Sequence, residues 1–334
     1  ATLFPKQEIK GSINASIQSS FKAPHTFSMA GTSGSLICLI KDSIVNGFPV
    51  QQGKIDAAWI GQKFTLNDIS IQNGMGQAMV SGSASVNDRT CDLKITTDIP
   101  DLKTVEKVFP TIAGDDPLSG SVKAQGEISG QWDQPHATMD VVGQGISSGE
   151  VLVETIKFKG LWDGDVNNFS GTGDCVLNKM RFGSLQVPEI ELTSQFSHEN
   201  ARVALKLQGA GNDQFTLSGD INGWLQPVKS VLIDRIAFTS EDLPPLANEG
   251  PVKMKVSKEA LVIEALRLGS GEAYVELKSS LIMTADNNLS ADLALRNFDL
   301  KRVSDFWVRG EKVQGLVSAD MHLSGTADHP DIGV

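Results

Sequence analysis

Cys91-Asp92-Leu93-Lys94-Ile95-Thr96-Thr97-Asp98-Ile99 decides the reading of this chain. Cys91, Leu93, Ile95, Thr97 and Ile99 occupy the odd positions, and Asp92, Lys94, Thr96 and Asp98 the even ones. Successive side chains of an extended strand point to opposite faces, so this segment predicts a strand with one apolar and one polar side. The same alternation returns up and down the chain. Ile13, Ala15 and Ile17 alternate with Ser12, Asn14 and Ser16, and Val203, Leu205 and Leu207 with Ala204, Lys206 and Gln208. Val275, Leu277 and Leu281 share a phase opposite Tyr274, Glu276 and Lys278, and Leu289, Leu293 and Leu295 one opposite Ser290, Asp292 and Arg296. That pattern belongs to an antiparallel sheet that is wet on one face.

Between the alternating runs stand turn signals: Asn73-Gly74, Asn87-Asp88, Asp163-Gly164, Gly211-Asn212-Asp213, Asn222-Gly223 and Asp286-Asn287-Asn288. Gly, Asn and Asp tolerate positive φ, so these read as hairpin connections between short strands. Helix is scarce. Its best case runs from Asp101 to Phe109, where an Asp cap precedes Leu102, Val105 and Phe109 at helical spacing and Pro110 stops the run. A similar stretch runs from Asp299 to Trp307.

Those two stretches belong to a long internal repeat. Gly120 to Pro135, GSVKAQGEISGQWDQP, returns 195 positions later as GLVSADMHLSGTADHP from Gly315 to Pro330. GMGQAMV, Gly74 to Val80, returns at the same offset as GSGEAYV, Gly269 to Val275. The helical pair slips by three. The expected organisation is the C-terminal part of one repeat over 1–119, a complete repeat over 120–314 and the start of another over 315–334, in one continuous β structure. A repeat open at both ends reads as a piece of a longer, elongated device whose function is spread along its length.

Composition narrows the function. The 334 residues carry 21% charged and 40% apolar side chains, the balance of a folded chain, and the net charge of -11 opposes nucleic-acid binding. Aromatic residues are 6%, too few for the girdles of a transmembrane barrel. The longest apolar run, Leu36 to Ile40, ends at Lys41. Cys38, Cys91 and Cys175 form neither a disulfide framework nor a metal motif, and read as small buried hydrophobes. Asp163 to Asp174 begins like a calcium loop but has Asn168 at the glycine position and Asp174 at the glutamate one, so it reads as a hairpin turn. His25, His136, His198, His322 and His329 show no ligand spacing and read as loop residues. No nucleophile elbow or phosphate loop is present, so neither an enzyme nor a cofactor is expected.

A sheet with one greasy face cannot leave that face in water, because about 25 cal/mol per Å² would exceed the stability of any domain. A second sheet, a closed barrel and a sheet curled over itself all answer the problem. The inward set here is branched and modest in bulk, which suits a groove for something apolar and equally a thin sandwich. The candidate lining is Ile156, Phe158, Val203, Leu205, Leu207, Val275, Leu277, Leu281, Leu293 and Leu295. Ordinary core is the competing role for each. Trp132, Trp162, Trp224 and Trp307 read as rim or end plugs.

The unit from Gly120 to Pro135, the glycines Gly143 and Gly145, Gly269-x-Gly271-x-Ala273 and the terminal Leu323-Ser324-Gly325-Thr326 resemble the TamB family, translocation and assembly module subunits. That family sits among the AsmA-like, bridge-type lipid transport proteins, and the resemblance covers about Gly53 to Val334. It implies an all-β fold, a long antiparallel sheet curled into a U-shaped trough (a β-taco) with a hydrophobic interior and one or two short helices. It further implies a Gram-negative periplasmic bridge, anchored in the inner membrane and reaching the outer one, whose groove takes phospholipid acyl chains. The outer-membrane barrel TamA is the implied partner, through parts outside this stretch. Outer-membrane proteins and autotransporters are implied clients, so a chaperone-like scaffold is the second reading and a passive stalk of closed repeats a third. Some twenty-odd strands at about 4.8 Å each predict a length of order 100 Å.

Overall fold

A computed structural model describes residues 11–23, 31–45, 48–106, 116–183, 185–209, 211–241, 245–270, 272–282, 289–299, 315–326 and 330–333. Its described residues form twenty-two strands and one five-residue helix, so the protein is all-β and antiparallel. The chain divides into two compact units, Ala1–Gly171 with Cys175–Leu185, and Thr172–Asp174 with Gln186–Val334. The first holds β1 (Gly11–Ser12), β2 (Ala15–Lys22), β3 (Ser33–Val45), β4 (Phe48–Ile60), β5 (Lys63–Asn73), β6 (Gly76–Ser85), β7 (Thr90–Ile99), α1 (Leu102–Glu106), β8 (Leu118–Gln131), β9 (Gln134–Ser148) and β10 (Val151–Gly164). β11 (Phe169–Phe182) is divided between the units. The second holds β12 (Leu185–Ser197), β13 (Asn200–Gln208), β14 (Gln214–Asn222), β15 (Lys229–Thr239), β16 (Leu246–Asn248), β17 (Val252–Val256), β18 (Ala260–Ser270), β19 (Ala273–Ile282), β20 (Leu289–Asp299), β21 (Leu316–Gly325) and β22 (Pro330–Gly333).

From β3 to β10, from β12 to β15 and from β18 to β22, each strand pairs with its neighbour in sequence, as hairpin turns dictate. β1 and β2 are one interrupted strand along β3, and β16 and β17 are another, between β15 and β18. Directly paired residues share a face, so the ladders trace which side chains stand together. In the first unit Cys38, Ile55, Ile69, Val80 and Ile95 lie in one row across β3 to β7. In the second, Leu192, Leu205, Leu217 and Ile236 lie in one row across β12 to β15.

Bulges keep those rows apolar where the sequence changes phase. In β5, Phe64 and Leu66 alternate correctly, but Ile69 and Ile71 fall one residue out of step. The ladder shifts there, with Leu66 opposite Gly82 and Ile69 opposite Val80, so the extra residue returns the isoleucines to the apolar side. β18 does the same between Ile263 and Leu266. In β15 the shift leaves Asp234 unpaired between Ile233, opposite Gly219, and Arg235, opposite Ser218.

The repeat reappears in the turns. Gly130 pairs with Pro135 and Gly325 with Pro330, and the two glycines take φ of 94° and 96°. A side chain at either would be held in a strained conformation, which accounts for glycine at both. Where a helix is expected from Asp101, α1 forms over Leu102–Glu106 and packs against β8, with Leu102 buried. The Asp101 carboxylate accepts the Lys103 amide, as a cap should. Phe109, Pro110 and the segment 300–307 of the second helical stretch lie outside the described residues.

Candidate functional site: the apolar face of the sheet

A folded chain of this length ordinarily hides dozens of apolar side chains. Here, among the described residues, only Cys38, Val50, Leu102, Val153, Phe169, Ala201 and Val252 are buried hydrophobics. Within each unit the described strands meet as ladder neighbours, and α1 packs against β8. The apolar side chains of each unit thus shield one another laterally along the ladders and stay half exposed.

The candidate lining falls on these sides. Ile156 and Phe158 stand opposite Gly143 and Val141, next to one another on the apolar side of the first unit. In the second unit Val203, Leu205 and Leu207 oppose Gly219, Leu217 and Phe215. Val275 and Leu277 oppose Leu295 and Leu293, and Leu268 and Leu266 on their other flank. The seven second-unit residues share a face, traced through Phe238, Leu246 and Asn248 to Leu268. All nine of these side chains are half-buried. Leu281 pairs with Leu289 in the β19–β20 ladder, and its side chain lies outside the described residues.

Sequence patterning missed several members of this surface. Ile69, Ile71, Leu266 and Leu268 were hidden by the bulges. Ile55 and Met139 lie in less regular runs, and Met139 stands proud, 47% exposed. Phe215 and Phe238, directly paired, put two phenyl rings of the second unit side by side on the same face.

In each unit the described tryptophans stand at or beside turns that follow even-numbered strands. In the first unit Trp59 lies 6.3 Å from Phe21, and Trp162 stacks on Phe169 at 4.2 Å while its indole N–H donates to the Gly164 carbonyl. In the second, Trp224 lies 6.2 Å from Phe196 and donates to the Ser197 carbonyl. Trp132 is exposed in the β8–β9 turn, and Trp307 lies outside the described residues.

The polar groups have structural employment. Asp165 accepts the Asn167 and Asn168 amides and closes the β10–β11 turn that resembled a calcium loop. His136 pairs with Asp163 and His322 with Asp292, each across neighbouring strands. His25 and His329 lie outside the described residues. Arg202 bridges Asp220 and Asp234 along the outer face, and its guanidinium pKa is raised by Asp234 first and Asp220 next. Burial pushes the Cys175 thiol up, which keeps it protonated and a poor nucleophile. Cys38 and Cys91 lie on the apolar side, opposite Ile55 and Ala84.

Comparison with family models, with curated proteins and with solved structures found no match for this chain.

Proposed function

We propose that this chain is a segment of a TamB-like, bridge-type protein that carries phospholipid between the inner and outer membranes across the periplasm, without enzymatic chemistry or a cofactor. One observation carries the proposal: the aliphatic sides of the strands form a surface that, among the described residues, stays half exposed. Such a surface needs apolar company, and acyl chains supply it. A phospholipid crossing water exposes its tails at about 0.8 kcal/mol per methylene, over ten kcal/mol for a sixteen-carbon chain. A row of leucines and isoleucines lowers that cost at every step without directional bonds, which would hold the cargo in place. Curling of each unit into a trough would shield the tails further.

A specific feature also favours the scaffold reading. Among the described residues all eight of β2 are exposed, Ile17 and Phe21 among them, and exposed apolar side chains along a strand offer an extended client chain something to pack on. TamA and outer-membrane clients belong to that reading.

Mass spectrometry of organic extracts from the purified chain separates the two. Phospholipid should co-purify, and Leu205→Asp with Leu277→Asp should lower its yield at least severalfold while the circular dichroism of the sheet is kept. Protein that is empty in repeated preparations overturns the lipid reading. Photocrosslinkers at 205 and 277 that capture nascent barrel proteins and no lipid establish the scaffold instead.

A further inference from the structure

The hydrophilic face of the first unit holds a groove of about 810 Å³ that the lipid reading does not use. Two adjacent ladder rows build it, and both run from β3 to β9 with no break in register. In one row Gln52, Gln72 and Gln77 stand directly opposite one another on β4, β5 and β6. In the other, Met79, Thr96 and Gln125 do so on β6, β7 and β8. Seven strands at about 4.8 Å give the groove a run of about 29 Å.

Two features of the lining point to a ligand. Its ionic groups are largely neutralised within the protein: Lys54 is bound by Asp56 and Asp68, Lys123 by Asp98, and Asp140 by Lys159. The four glutamine amides, in contrast, make no hydrogen bond to described residues, so their donors and acceptors face the groove unspent. Interrupting the polar pattern are Leu39, Met79 and Val142, exposed by 43%, 45% and 38%, and all three line this groove. Amides that both donate and accept, beside small apolar steps and little free charge, match a neutral polymer with hydroxyls on its edges and C–H groups on its flats.

Spacing selects among such polymers. An extended polypeptide advances about 3.3 Å per residue and falls out of step with strands about 4.8 Å apart. A pyranose ring in an extended β-linked glycan is close to the strand spacing in length, so each ring meets the same rung of successive strands. We propose that the polar groove across β3 to β9 is a binding site for an extended neutral glycan, one sugar per strand. The second unit carries a concavity of about 510 Å³ at the positions equivalent by repeat, with Tyr274 where Met79 stands and Asp320 where Gln125 stands. Its lining of Glu276, Lys278, Asp292 and Arg296 lacks the free amides, and it serves as the internal control.

The test is calorimetric titration of the whole chain with cellohexaose and with chitohexaose, against a flexible 1,6-linked isomaltohexaose. A β-linked hexasaccharide should bind with Kd near ~1 mM or tighter. Gln77→Ala with Gln125→Ala should weaken it about tenfold, through the loss of two hydrogen bonds to the sugar. Tyr274→Ala should leave it unchanged, and an unaltered melting temperature verifies that each variant is folded. Absence of binding to both β-linked sugars, equal affinity of the glutamine variant, or groove-dependent binding of a carboxymethylated unfolded protein in place of sugar each overturns the proposal.

Discussion

Asp234 is the residue at which local geometry and electrostatics meet. The β15 bulge frees it from the ladder, and its carboxylate takes the Ser218 hydroxyl and the Arg202 guanidinium, while its carbonyl accepts the Asn248 amide. The Ser218 hydrogen bond first, and then Arg202, hold its pKa below the ordinary carboxylate value. A depressed folded-state pKa contributes stability above the unfolded pKa of about 3.9 and loses it as pH falls through the folded value. Melting temperature between pH 5 and pH 2 should therefore fall less steeply for Asp234→Asn than for the parent chain. Equal slopes would show that the pair is screened by solvent, as exposed ion pairs often are. The sequence showed Asp234 only as a charge on a β-rich run; its role needs Arg202 and Asn248, which lie on other strands.

At the scale of the strand, phase is the organising variable. Alternation in Cys91 to Ile99 reads directly as β7, and Val203 to Leu207 as β13. β5 does not read so simply, since its two apolar pairs sit on opposite parities until the bulge at Asn67 and Asp68 reconciles them. Asn67 also donates to the Asp56 carboxylate, which fixes the bulge against β4. Deleting Asn67 should force either Phe64 and Leu66 or Ile69 and Ile71 to the wet face. Half-buried side chains make the expected cost about 1–3 kcal/mol, below the value for a sealed core, and urea denaturation measures it. A deletion with no loss would mean that neither face of β5 matters to folding. Helix α1 shows the converse case, where an Asp cap and a buried leucine were legible locally and the structure agrees over Leu102–Glu106.

Across the whole molecule, the unusual quantity is the apolar surface that folding leaves in water. So few of the described hydrophobic side chains are buried that unfolding adds less apolar surface to the solvent than it does for a compact protein of equal length. The urea m-value, which scales with the area exposed on unfolding, should be correspondingly lower. Bound lipid should raise it again, because loaded protein exposes more surface when it unfolds and releases its cargo. An m-value typical of a compact 334-residue protein would mean that the apolar faces are closed in solution, and the conduit reading would fail with it.

The sequence by itself determined that the chain is a succession of antiparallel strands with one apolar side, because period-two alternation and turn chemistry act over a few residues and need no distant partner. It also placed the glycines of the repeated turn, whose positive φ only glycine adopts without strain. What the tertiary structure decided is which apolar residues stand together and how far they are covered. Bulges reset the phase of β5, β15 and β18, and cross-strand register assembled Ile69 with Val80, Phe215 with Phe238 and Gln72 with Gln77. Burial is a property of what lies above a face, and that depends on every neighbouring strand at once, so no window of sequence contains it.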